Sequence, residues 1–187
     1  MEHTPEKKQA ERAKPVSELY QNIRTLATVL AVLILIFTFV VRIIVVSGPS
    51  MENTLFNGDA MVIWSLGYEP KQGDVVVLTQ PSYQEDSIVK RVIAVGGQTI
   101  DIDYSTGTVK VDGVPLKESY IKEQMRVPSY GEGSTHIIVP EGHLFVMGDN
   151  RNESADSRYS TIGTIDERLV IGRALLVAFP FDHFGLL

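Results

Sequence analysis

Residues 87–96 read Ser-Ile-Val-Lys-Arg-Val-Ile-Ala-Val-Gly, a run dominated by Val and Ile and closed by the pair Gly96-Gly97. Side chains branched at Cβ suit a pleated surface better than a helix, so the run predicts a strand. Alternation then places Ile88, Lys90, Val92 and Ala94 on one face and Val89, Arg91, Ile93 and Val95 on the other. Both faces are apolar except for the two adjacent cations, so at least one of these sits among hydrophobic neighbours.

The same pattern recurs on either side. Ile43–Val46, Ala60–Leu66, Asp74–Thr79, Thr99–Tyr104, Thr108–Val111, His136–Val139, His143–Met147 and Leu169–Phe179 all read as short strands. Turn chemistry separates them at Asn57-Gly58, Ser105-Thr106-Gly107, Asp112-Gly113, Gly131-Glu132-Gly133 and Glu141-Gly142. The pair 99–104 and 108–111 predicts a hairpin with a polar face carrying Asp101, Asp103, Lys110 and Asp112. Strands at this spacing make residues 43–187 a mainly β domain, an antiparallel or mixed sheet with little helix. Phe179, Phe181 and Phe184 are expected to close its core.

The N-terminal quarter differs. Thr25 to Val41 are 17 consecutive uncharged residues bracketed by Arg24 and Arg42, about 25 Å of helix, near the short limit of a bilayer span. The two arginines can reach the headgroups and lengthen it. A core helix without a polar face would need protein on all sides, and a cleaved leader has a shorter basic start than the 24 mixed residues found here. Residues 25–42 are therefore expected to be a retained anchor, and the polar segment 1–24 to be loosely ordered. Lys7, Lys8, Arg12, Lys14 and Arg24 hold that segment in the cytoplasm. Beyond Arg42 the chain carries 11 Lys+Arg against 19 Asp+Glu and is expected to lie outside the cytoplasm.

Composition excludes several chemistries. The 187 residues carry a net charge of −6 and no cysteine. There is then no thiolate nucleophile, disulfide framework or cysteine zinc site, and no electrostatic footprint for nucleic acid. The Gly-x-Ser-x-Gly elbow is absent too. What remains is a serine or threonine nucleophile, an acid pair or a metal.

Ser47-Gly48-Pro49-Ser50-Met51-Glu52-Asn53-Thr54-Leu55 follows the first β-branched run. Gly48 permits a tight bend and Pro49 fixes one torsion, so Ser50 can be presented at a strand end with a backbone N–H beside it. On composition alone, the segment also reads as a plain linker. Of the two cations in 87–96 only lysine can lose its proton, so a base on that strand is Lys90. Lowering a lysine from about 10.4 to about 8 costs roughly 3 kcal/mol, within reach of partial burial. Gly148-Asp149-Asn150-Arg151-Asn152-Glu153-Ser154-Ala155-Asp156-Ser157-Arg158 is the third feature. Arg151 occupies a ligand position of a calcium loop and Ser154 replaces its obligatory glycine, so the loop is no calcium site. Asp156 and Arg158 can pair within it, and Ser154 can reach an amine. A Ser-His-Asp triad is open in principle, but His136, His143 and His183 lie in no segment that presents them beside Ser50.

Together with Gly73-Asp74-Val75-Val76-Val77, these segments resemble type I signal peptidase, the membrane-bound Ser/Lys endopeptidase, in its single-anchor Gram-positive form. The resemblance runs over almost the whole chain. It implies Ser50 as nucleophile, Lys90 as general base and Ser154 as a residue orienting the lysine. Asp149, Arg151, Asp156 and Arg158 match the positions that scaffold the site. It further implies removal of signal peptides from secretory preproteins after Ala-x-Ala-type sites, by a monomer in the cell membrane, with no cofactor or metal. Two departures stand out: Asn53 replaces the usual proline, and Gly48 the serine whose hydroxyl completes the oxyanion hole in some members.

Ser50 is eight residues beyond Arg42, at most about 28 Å of extended chain, which keeps the expected site close to the bilayer. Three rival readings fit parts of the sequence. The self-cleaving SOS-repressor proteases share Ser/Lys chemistry but are soluble and carry a DNA-binding domain. The others are a non-catalytic homologue assisting assembly of pili or surface proteins, and an anchored β-domain that only binds a partner.

Overall fold

The computed structural model describes residues 5–80, 84–126 and 135–187. Residues 1–40 and 41–187 form two separate units. The first is a helix, α1 (Pro5–Phe39). Its stretch Glu18–Thr38 is 21 residues long and apolar enough to cross a bilayer, with none of the apolar window buried. The helix begins far earlier than the expected anchor, so residues 5–24 are not loosely ordered. Glu, Lys, Gln, Ala and Arg between positions 6 and 14 are strong helix formers, and they propagate the helix backward from the apolar run. It also stops earlier: Val41 and Arg42 already belong to a strand.

The second unit contains twelve strands among the described residues: β1 (Val41–Val45), β2 (Ala60–Trp64), β3 (Val75–Gln80), β4 (Gln84–Val95), β5 (Thr99–Asp103), β6 (Thr108–Val111), β7 (Val114–Pro115), β8 (His136–Ile138), β9 (His143–Met147), β10 (Ile165–Asp166), β11 (Val170–Phe179) and β12 (Gly185–Leu186). The large sheet runs β1-β2-β11-β3-β4-β9-β10, with β12 beside β11, and the small one runs β7-β6-β5-β8. The pairings are antiparallel, as in Val76 opposite Lys90 and Ile100 opposite Val111. This is the mainly β fold expected. The hairpin of β5 and β6 sets Asp101 across from Lys110 on its polar face. Asp112 and Gly113 both take positive φ, the conformation that a two-residue hairpin turn between β6 and β7 requires. The two-residue strands β7, β10 and β12 are too short to leave a period in the sequence. The expected turn Gly131-Glu132-Gly133 lies outside the described residues.

Three apolar clusters hold this unit together. Met51 and Leu55 pack with Met61, Ile63, Val75 and Val77, which pins the loop carrying Ser50 to the sheet. Each fully buried side chain of this kind contributes roughly 1.5–3 kcal/mol. Val76, Leu78, Val92, Leu144 and Val146 take in Ile162 and Ile165, securing the chain after the 148–158 loop. Ile93, Ala94, Phe145 and Met147 join Ile100, Ile102, Val109 and Val111 of the small sheet.

Two expectations fail here. A register shift between Val92 and Ala94 on β4 interrupts the alternation. Ile93 and Ala94 therefore enter the same cluster, and Val95 packs with Val92 instead of opposite it. Phe179, Phe181 and Phe184 do not close the core: they are 57%, 81% and 63% exposed. Phe179 ends β11 and Phe181 and Phe184 lie beyond it, past Ala174 and Val177, which have already filled the interior; Phe179 meets Phe181 edge-on at 5.7 Å between ring centroids.

Candidate active site

The site forms where β9 stops covering β4. The last matched pair is Met147 with Arg91, so Lys90 stands one residue beyond the pairing and the chain after Met147 turns away as the 148–158 loop. On its other side Lys90 remains paired with Val76 of β3. Its side chain, on the face of Ile88 and Val92, is thereby enclosed, and the residue is 4% exposed.

The Ser50 loop closes over this position. Its base is a backbone clasp: Val46 N–H donates to the Asp59 carbonyl and Gly58 N–H to that of Val46. Gly48 bends the chain with φ of +90° and donates its N–H to Asn57 Oδ1 at 3.0 Å. Glu52 N–H donates to the Pro49 carbonyl, and the Thr54 and Leu55 N–H groups to that of Met51, so a tight turn follows Ser50. Asn53 is exposed on that turn. Ser50 N–H has no acceptor among the described residues.

Lys90 Nζ donates to Ser50 Oγ at 2.8 Å and to the Val89 carbonyl at 3.0 Å. Burial lowers the Lys90 ammonium from 10.5 to about 8; Asp156 and Asp149 oppose the shift and Arg158 adds to it. Asp156 and Arg158 themselves pair, Nε to Oδ1 at 2.7 Å and Nη2 to Oδ2 at 2.9 Å, and both are buried. Desolvation would push the Asp156 carboxyl up, but the Arg158 charge and the Gly148 N–H hold it below the usual carboxylate range. Arg158 Nη2 also donates to the Arg151 carbonyl at 2.7 Å, folding the end of the loop back onto its first half.

Asp149 braces the other side. It accepts Arg91 Nε at 2.9 Å and Arg91 Nη2 at 2.7 Å, a bidentate pair, and also the Thr54 hydroxyl. One carboxylate therefore joins the residue after the lysine to the turn after the serine. Arg151 is buried and donates Nε to the Gly148 carbonyl and Nη2 to Glu118 at 2.6 Å. Ser154 is buried close above Gly148; its Oγ is not a hydrogen-bond partner of Lys90, but it bears on Asp156 and helps hold that carboxyl below the usual range. The orienting role expected of it toward Lys90 is therefore not carried by a direct contact to the amine.

Several residues that shape the site were not individually legible in the sequence. A Cβ on Gly148 would collide with Ser154 Oγ and the Ser50 carbonyl oxygen, so this glycine lets the two loops touch. Asn150 N–H donates to that same Ser50 carbonyl, and Asn150 Nδ2 to the Pro49 carbonyl. Glu118 and Tyr120 carry no sequence signal, because they lie far from all three motifs. Arg91 was visible only as the cation beside Lys90.

Ser50 and Lys90 open into a cleft of about 440 Å³. One wall is Ile44 to Pro49, the other Ser87 to Val89, and Ala155 and Glu153 lie at its end. The three histidines among the described residues lie elsewhere: His136 pairs with Asp101, His143 meets the Glu141 carbonyl and His183 pairs with Asp59. No cluster of His, Asp and Glu suited to a metal ion occurs among the described residues.

The family described as signal peptidase, peptidase S26, matches residues 19–179 of the chain. A probable signal peptidase I-1 from Synechocystis sp. is 35% identical over 183 residues, covering 92% of this chain and 89% of that protein. The signal peptidase I of Bacillus licheniformis is 31% identical over 175 residues, covering 89% and 92% respectively. A crystal structure of a signal peptidase I from Enterococcus faecalis V583 aligns at a TM-score of 0.45 and 27% identity, over 57% of this chain and 97% of that one.

Proposed function

The chain belongs to the signal peptidase family, peptidase S26, as a type I signal peptidase, and from that membership we propose that it cuts secretory preproteins with a Ser50/Lys90 dyad. The observation that supports the dyad is the 2.8 Å contact between Lys90 Nζ and Ser50 Oγ, with the amine almost fully out of water. A depression from 10.5 to about 8 disfavours the ammonium by about 3 kcal/mol. A neutral amine is thereby available near physiological pH, and it is the only form that can act as a base.

In this mechanism the neutral Lys90 accepts the Ser50 hydroxyl proton as Oγ bonds to the scissile carbonyl carbon. The resulting oxyanion is met by the Ser50 N–H, which is free of other acceptors among the described residues. Lys90 then returns the proton to the departing amine as the C–N bond breaks, leaving an acyl-enzyme. A water molecule, deprotonated by the same lysine, attacks the ester and restores Ser50. Gly48 has no side-chain hydroxyl to offer the oxyanion, and its N–H is committed to Asn57.

The substrate enters as an extended strand. The edge of β4 from Ser87 to Lys90, no longer covered by β9, offers backbone groups for β-addition, and the shallow walls admit small side chains at alternate positions. This suits a small-x-small recognition sequence. The apolar helix anchors a monomer in the cell membrane, with Lys7, Lys8, Arg12, Lys14 and Arg24 on the cytoplasmic side and residues 43–187 outside.

The decisive experiment incubates detergent-solubilised protein with a secretory precursor, beside the Ser50→Ala variant. Processing by the parent and none by the variant is expected. Equal processing by both, or by neither, defeats the proposal.

A further inference from the structure

Residues 116–126 touch all three segments of the site. Lys122 pairs with Glu52 at 2.7 Å, two residues beyond Ser50, and donates its N–H to the Asp149 carbonyl. Glu118 takes the buried Arg151 guanidinium at 2.6 Å and the Tyr120 hydroxyl at 3.2 Å. The Tyr120 ring lies 4.1 Å from the Arg91 guanidinium carbon and 5.9 Å from that of Arg151. The ring is thus a lid over the Arg91–Asp149 pair, its face lying against the Arg91 guanidinium.

We infer that Tyr120 is a positioning residue for catalysis, its ring face holding the Arg91 guanidinium against Asp149 and so controlling how much of the Asp149 charge reaches Lys90. The inference rests on the Ser50/Lys90 reading. A cation is attracted to an aromatic face, most strongly when desolvated, and the ring also keeps water from the pair. The pair is what neutralises Asp149: Arg91 meets both of its oxygens. The charged groups that bear on Lys90 are Asp156, Arg158 and Asp149. The first two neutralise each other within their own loop, without help from residues 116–126. Asp149 is the one whose partner the Tyr120 ring covers. When Arg91 loosens, Asp149 stabilises the Lys90 ammonium more strongly, and the base keeps its proton to higher pH.

The test is the pH dependence of precursor cleavage by full-length Tyr120→Leu and Tyr120→Phe, with Lys90→Ala alongside. For Tyr120→Leu, the acid limb of kcat is expected to move up by about half a pH unit, a loss of roughly threefold near pH 7 that recovers near pH 10, with KM little changed. Tyr120→Phe keeps the ring and is expected to leave the limb in place. If Tyr120→Leu does not fold, Tyr120→Met, which fills the space without the ring's negative face, is read in the same way. An unmoved limb in the non-aromatic variant, or an equal shift in Tyr120→Phe, overturns the inference. Activity surviving in Lys90→Ala would instead overturn the Ser/Lys reading itself.

Discussion

Ser50 Oγ and Lys90 Nζ lie 2.8 Å apart although forty residues separate them in the chain. A loop and a strand enforce that distance. Met51 and Leu55 fasten the serine's loop into the core, while the end of the β4–β9 pairing leaves the lysine facing it. Neither residue is positioned by its own neighbours in sequence alone, and the variants below separate the contributions.

Lys90→Arg is expected to abolish cleavage, by about a thousandfold or more, although it preserves charge and a hydrogen bond to Ser50. A guanidinium does not give up its proton in a protein, so the hydroxyl has no base. Single-turnover cleavage of a precursor, with thermal unfolding as a check on folding, measures this. Retention of even a tenth of parental activity would rule out Lys90 as the base.

The depressed Lys90 ammonium sets both activity and stability against pH. Activity should rise about tenfold per pH unit below about 8 and level off above it, since only the neutral amine works. For stability, the unfolded lysine holds its proton up to 10.5 and the folded one only to about 8. Between these values the unfolded chain binds more protons, so stability climbs with pH across that window. Below pH 8 the full penalty applies. Lys90→Met should therefore be inactive yet more stable at pH 7, by about 1–3 kcal/mol, with the advantage shrinking toward pH 10. Melting curves of both proteins at the two pH values give the comparison.

Gly148→Ala is expected to cut activity at least a hundredfold, about 3 kcal/mol in transition-state terms, while the sheet still folds. Its Cβ would occupy the space of Ser154 Oγ and of the Ser50 carbonyl oxygen. A displacement of about 1 Å is enough to take the serine hydroxyl out of productive geometry with the lysine. Adding Ser154→Gly relieves only one of the two collisions, so the double variant should recover little. Cleavage rates beside circular dichroism spectra decide this.

The absence of cysteine allows a clean topology test. A single cysteine at Val114, which is 65% exposed, should react with a membrane-impermeant maleimide in intact cells. One at Lys8 should react only after the membrane is opened. The opposite labelling would invert the proposed orientation.

Much of the architecture was legible because it depends on local pattern. The alternation in Ser87–Val95 and the turn pairs at Asn57-Gly58 and Asp112-Gly113 mark strands and hairpins through their own backbone preferences. The apolar run before Arg42 marks a helix, though residues 5–24 extended it beyond the expected start. The bulge at Ile93 was not legible: it answers to the partner strand β9, and nothing in the sequence of β4 announces the flip of Val95. Phe179, Phe181 and Phe184 misled for a related reason, since hydrophobicity says that burial is favourable but not whether the interior still has room.

By itself, the sequence determined which groups could do chemistry: one lysine able to shed its proton on an apolar strand, one serine on a bent loop, and one loop rich in Asp and Arg, with Asp156 and Arg158 able to pair. Only the tertiary structure decided which of them meet. Asp149 is bound to Arg91 across 58 positions and to Thr54 across 95, and Arg151 to Glu118 across 33. Such contacts depend on how the chain closes its sheets. Charge and hydrophobicity constrain that closure without fixing the partner, because a buried guanidinium is satisfied by any carboxylate that the fold brings within reach.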